Sequence, residues 1–273
     1  MDVKLGVCHH VLPGAGVFAP KFVKEAGLDG MSIEFGNYDV GYPASMRRVQ
    51  DAYLEAQQQY GIEYPNIGMS AFDFIPFHAH KGTTMHDVIK QTLRLAIDAA
   101  DYMKIPMVFI PTFGVSTIET EDQFKNATYM FQYASEYAEK KNITIASESI
   151  MDLPRQLRLY EEVQRDNFGL FYDSDNFFFE KGYDQVAMLS GMYPYMVNQL
   201  HVKDGKAGAL AGSLLGDGDS DFAGTMAFLA EKDFKGWIIS ENLYGKQPLY
   251  NIGGDPFAAL FEDVNRLKKA IRQ

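Results

Sequence analysis

The chain has 273 residues, 47% hydrophobic and 22% charged, an ordinary balance for a globular protein with a sizeable core. Its net charge of −11 argues against a nucleic-acid groove, which needs a basic face. The single cysteine, Cys8, excludes an internal disulfide and suits a reducing compartment. The start, MDVKLGVCHHVLPG, has no signal-peptide pattern, and no apolar run approaches the ~20 residues that span a bilayer, so the expected location is the cytoplasm, with no membrane partner.

Short apolar, β-branched runs alternate along the chain with segments of helical period. Strands are predicted at Val3–His9, Gly30–Phe35, Tyr64–Ser70, Pro106–Pro111, Ile143–Glu148, Phe168–Asp173, Val197–Lys203 and Gly236–Glu241. Helices are predicted near 20–26, 44–60, 84–103, 119–140, 153–165, 183–192, 221–232 and 255–271. Gly61 is a stop signal after the second helix, and the acidic run from Glu119 to Asp122 suits the positive end of the fourth helix's dipole. Eight strands alternating with eight helices imply a parallel sheet, and at this length the closed (β/α)8 TIM barrel leads, as a single domain over 1–273. An open doubly wound sheet is the alternative, but Gly14-Ala15-Gly16 is too short to be a dinucleotide fingerprint.

Functional groups of such a barrel sit at the C-terminal ends of its strands. The fifth predicted strand ends in Glu148 and the sixth in Asp173; the seventh runs into His201 and the eighth ends in Glu241. Alone, each is more often a cap, an ion-pair partner or a satisfied rim residue. Together they put three carboxylates and an imidazole on one rim, and those carboxylates repel one another unless a cation joins them. Oxygen-rich ligation with one imidazole suits one divalent metal ion, Mn²⁺ or Mg²⁺ first, with Co²⁺ and Zn²⁺ as alternatives. Glu34, ending the second strand, is expected beside the site, orienting a ligand or a hydroxyl. Only one of the neighbours His9 and His10 can face inward on an extended strand, and His9 is the expected substrate contact. Ser70, a further substrate-binding candidate, ends the third strand and opens a long aromatic loop to His78. Those aromatics, with Phe113 and Phe177–Phe179, would either exclude water from the mouth or pack on neighbouring loops or subunits. Cys8 reads as a small buried residue rather than a nucleophile.

These residues resemble the xylose-isomerase-like superfamily of sugar and sugar-phosphate isomerases and epimerases. The segments are SESIMDLP around Glu148, FYDSDNFFFEKGYD around Asp173, LHVKDGKAG around His201, LGDGDSDF at 215–222 and GWIISENLY around Glu241, with Gly30-Met31-Ser32-Ile33-Glu34 on the second strand. The L-xylulose- and L-ribulose-5-phosphate 3-epimerase branch is similar in its LPG first loop and its HVKD motif. The resemblance implies one metal held by Glu148, Asp173, His201 and Glu241. It also implies a ketose or ketose phosphate as small-molecule partner and a homo-oligomer, dimer or tetramer. Glu148 and Glu241 would be the catalytic pair, moving a proton off and back through a metal-stabilised cis-enediolate.

The chain departs from the family where Asn176 follows Asp173, a position at which sugar epimerases often carry histidine. It departs again where Lys203 and Lys206 stand near a family arginine. Asn176 can bond a hydroxyl but not exchange a proton, and either lysine could meet a phosphate or form a rim ion pair. All three are substrate-binding candidates. A lyase on the same scaffold, similar to inosose or 3-dehydroshikimate dehydratases or to 3-keto-glycoside-cleaving enzymes, is the alternative activity. A zinc DNA-repair endonuclease would need further histidines where Ser70, Pro111-Thr112 and Asn176 stand.

Overall fold

A computed structural model describes every residue except 15, 17, 207, 250–253, 256 and 273. Eight strands close into a parallel barrel in sequential order: β1 Val3–Cys8, β2 Gly30–Glu34, β3 Ile67–Gly68, β4 Met107–Pro111, β5 Thr144–Glu148, β6 Phe168–Asp173, β7 Met196–Val202 and β8 Gly236–Ser240. The helices described around them are α1 Ala19–Glu25, α2 Arg47–Tyr60, α3 Thr84–Met103, α4 Glu121–Glu139, α5 Leu153–Val163, α6 Asn176–Lys181, α7 Gln185–Met192, α8 Phe222–Glu231 and α9 Ala258–Ala270. This is the expected (β/α)8 architecture. Among the described residues no helix is long and apolar enough to cross a membrane.

The predicted punctuation has physical counterparts. Gly61 ends α2 in the left-handed region at φ 62°, and its N–H closes on the Gln57 carbonyl. At the start of α4 the Thr120 hydroxyl accepts from the Gln123 N–H while the Gln123 side chain accepts from the Thr120 N–H, a reciprocal cap.

Three readings shift. The first strand stops at Cys8, and His9–Val11 turn as a 3-10 segment. The third is reduced to Ile67–Gly68, and Ser70–Asp73 form another such turn. The FFF run expected as loop after β6 lies in α6.

Most of the core lies between sheet and helices, as the alternation of apolar strand and amphipathic helix requires. A smaller cluster of Met107, Phe109, Ala146, Phe171 and Val197 forms separately, its members drawn from β4, β5, β6 and β7. There Phe109 and Phe171 stack with ring centroids 4.9 Å apart, and the His201 ring stands edge-on to them at 5.1 and 4.6 Å. These rings are a rigid support beneath His201. Gly68 makes room for them, since a Cβ there would lie 2.6 Å from the tip of the Phe109 ring. Hemmed by Phe171 and His201, that ring cannot swing aside freely. Gly68→Ala should therefore lower stability by about 1–3 kcal/mol through overpacking, read from urea denaturation. An unchanged midpoint would show that the ring has room to move.

Candidate metal centre

Strand register assembles the centre. Asp173 on β6 is paired with His201 on β7, and the Glu241 N–H just beyond β8 donates to the Val202 carbonyl. Glu148, closing β5, is paired with Pro111 of β4. Glu148, Asp173, His201 and Glu241, all buried, each bring one ligand-type atom within 4.8 Å of the others. His201 Nδ1 lies 3.3 Å from Glu148 Oε1, 3.4 Å from Glu241 Oε2 and 4.0 Å from Asp173 Oδ2.

Each ligand is oriented by its own neighbours. Asp173 Oδ1 accepts the N–H groups of Asp175 and Asn176 at 2.9 and 2.8 Å, at the start of α6. Its Oδ2 is buried and turned to the cage, where the Lys203 ammonium is its neighbour. Asn176 Nδ2 donates to Glu148 Oε1 at 3.2 Å. With Nδ1 turned to the carboxylates, His201 Nε2 is left facing Cys8 Sγ at 3.3 Å, a contact that fixes the ring. Lys203 Nζ sits 2.5 Å from Glu241 Oε2 and 3.2 Å from Asp173 Oδ2.

The electrostatics follow from burial and charge. Desolvation pushes the Glu148 and Asp173 carboxyls up, opposed chiefly by His201 for the first and Lys203 for the second. Burial also acts to raise Glu241, but the charges of His201 and Lys203 outweigh it and hold this carboxyl well below its usual range. Lys203 is held well above its usual value, because Asp173 and Glu241 outweigh its own desolvation. The donor set of three carboxylates and one imidazole nitrogen, converging within 4.8 Å, fits a hard divalent cation. Cys8, His10 and Glu241 form a second close group, but burial pushes the Cys8 thiol up to about 12, which makes it a poor ligand.

Above the cage opens a cavity of about 490 Å³, within the range of small-molecule sites. Glu34, Ser70, Asn176 and Lys203, all expected at the site, line it. Glu34 Oε1 accepts from the Gly36 N–H at 3.0 Å, and its Oε2 lies 3.9 Å from His10. His9 is placed elsewhere. Its Nε2 accepts the Gly16 N–H at 2.8 Å and its ring stands edge-on to Tyr53. His10 lines the cavity instead, 3.4 Å from Glu241 Oε1. The expectation for His9 assumed an extended strand through that position; the 3-10 turn after Cys8 breaks the two-residue alternation.

Lys206 is exposed and off the cavity wall. Asp204, a possible partner for either lysine in sequence, instead gathers the 215–222 segment. Its carboxylate accepts from the Gly216, Gly218 and Ser220 N–H groups at 2.8, 3.0 and 3.2 Å. Of the mouth aromatics only Phe113 lines the cavity; Phe72, Phe77 and Phe177 are core, and Phe74 is 71% exposed. Asp73 and Glu180 also line it, and neither stands out in sequence because each sits in a turn or helix after its strand.

Residues 20–269 match the family model described as the xylose isomerase-like TIM barrel. The chain belongs to that family. It is 24% identical over 229 residues to 2-epi-5-epi-valiolone 7-phosphate 2-epimerase of Actinoplanes sp., covering 84% of this chain and 83% of that one. D-allulose 3-epimerase from Methylomonas sp., solved in complex with D-allulose, shares the fold with a TM-score of 0.77 at 17% identity, over 98% of this chain and 97% of that one. The IOLI protein, solved with a zinc atom, shares it with a TM-score of 0.77 at 16% identity, over 98% of both chains.

Adding Mn²⁺ to chelator-treated protein should raise the thermal midpoint, with about 2.7 kcal/mol gained at a hundredfold excess over Kd. Asp173→Asn should remove most of that rise. A midpoint indifferent to divalent ions in both proteins would refute the centre.

Proposed function

We propose that this chain is a divalent-metal-dependent epimerase or isomerase of a ketose or ketose phosphate. The observation that carries the reading is the pair of buried glutamates, Glu148 on β5 and Glu241 beyond β8, on either side of His201 in a sugar-sized cavity. The relatives support it, since the valiolone phosphate, allulose and ribulose proteins are named as epimerases. Asp173 adds a third buried carboxylate to the two glutamates, more negative charge than the single Lys203 ammonium offsets, and so argues for the ion.

Glu148, Asp173, His201 and Glu241 would hold the ion, Mn²⁺ or Mg²⁺ by ligand chemistry, with Co²⁺ and Zn²⁺ compatible. When bound, it would supply Lewis acidity to polarise a carbonyl and stabilise developing negative charge. The protein's own groups do the rest. Glu148 and Glu241 face the reacting carbon from opposite sides; one accepts its proton and the other returns one, inverting the centre. Asn176, bonded to Glu148, fixes the direction of that carboxylate and bonds a hydroxyl. Lys203 steadies Glu241 and places a positive charge next to the carbonyl end. Glu34 and Ser70 accept or donate to hydroxyls further out, and His10 takes the place at Glu241 that His9 does not reach.

In D₂O, metal-loaded protein should exchange deuterium into the carbon next to the carbonyl of a ketose, read by NMR. Absence of exchange across a broad panel of sugars and sugar phosphates would remove the reading. Glu241→Gln should lower kcat by roughly 10²–10⁴-fold, a larger loss than the weakening of Mn²⁺ binding read from the thermal midpoint. Near-normal turnover in that variant would sink the two-glutamate mechanism.

A further inference from the structure

We infer, resting on the ketose reading above, that the substrate is a free polyhydroxy ketone and not its phosphate ester. The charges lining the cavity carry this. Within the cage, three carboxylates stand against Lys203 and a dication, which leaves that layer near neutrality. Three further carboxylates, Glu34, Asp73 and Glu180, line the rest of the wall.

Among the described residues, the only cationic side chains on the wall are His10 and Lys203, and both are turned to Glu241. Lys206, the other lysine that sequence offers for a phosphate, is exposed and off the wall. The nine residues outside the description are Ala15, Val17, Ala207, Tyr250, Asn251, Ile252, Gly253, Pro256 and Gln273, so none of them adds a cation.

A phosphate ester brings about −1.5 to −2 charges and only acceptor oxygens. It would meet carboxylates that also only accept, with no guanidinium or free ammonium to receive it. A sugar hydroxyl is the opposite case, since each O–H can donate to Glu34, Asp73 or Glu180. The field of the outer wall is visible on Asp73, whose carboxyl burial pushes up to about 7, with the negative charge of Glu34 among the further causes. A second anion placed there would meet the same field. In this respect the chain parts from the Actinoplanes relative, whose name specifies a 7-phosphate.

The test uses the full Mn²⁺-loaded chain and matched pairs: D-fructose against D-fructose 6-phosphate, and L-ribulose against L-ribulose 5-phosphate. Deuterium exchange gives kcat/KM, and isothermal titration gives binding without turnover. The free sugar should be preferred by on the order of 100-fold, the scale of like-charge juxtaposition, and the gap should shrink as salt is raised. Asp73→Asn and Glu180→Gln should narrow the gap by lowering KM for the phosphate. Binding of the phosphate as tight as the free sugar, or tighter, would overturn the inference whatever the turnover. Tighter binding of the free sugar with no exchange in either member of a pair would sustain the inference and remove the epimerase reading.

Discussion

Three buried carboxylates held around one imidazole nitrogen are the constraint on which the rest of this molecule depends. Glu148, Asp173 and Glu241 are each within 4.0 Å of His201 Nδ1, and all are buried. Such an arrangement is costly on its own, because each carboxylate loses hydration and gains like-charge neighbours. It is sustained by Lys203, by backbone N–H groups on Asp173 Oδ1 and by Asn176 on Glu148.

The barrel supplies the rigidity that this requires. Parallel pairing of β5 through β8 brings four strand ends to one rim, and the register places Asp173 opposite His201 without any loop to tune. Beneath them the stacked rings of Phe109 and Phe171 hold the imidazole edge-on, and Gly68 leaves the space those rings occupy. Packing deep in the barrel thus fixes chemistry at its mouth. Asp204 plays the corresponding part outside, tying the glycine-rich segment after β7 to the strand end through its carboxylate.

Charge is graded outward from the cage. Its own acids face Lys203, while Glu34, Asp73 and Glu180 face the remaining volume, where His10 is the other cationic side chain on the wall among the described residues. For the proposed reaction the cage would suit an anionic intermediate, and the outer wall hydroxyl donors.

The sequence alone determined the eightfold alternation of strand and helix and the four polar strand-end residues, because these rest on local signals: hydrophobic period, caps, and a charged residue closing an apolar run. Glu34 and Ser70 were legible for the same reason, each closing a predicted strand, and Asn176 and Lys203 through the family resemblance. Tertiary structure decided what local period could not express. A 3-10 turn after Cys8 exchanged His9 for His10, since one break in the backbone reverses which neighbour faces inward. Lys203 found Glu241 and Asp173 across strands rather than Asp204 beside it in the chain, and Lys206 turned to solvent. Asp73, Glu180 and the contact of Cys8 with His201 depend on how loops and neighbouring strands converge in three dimensions, and no spacing along the chain encodes that.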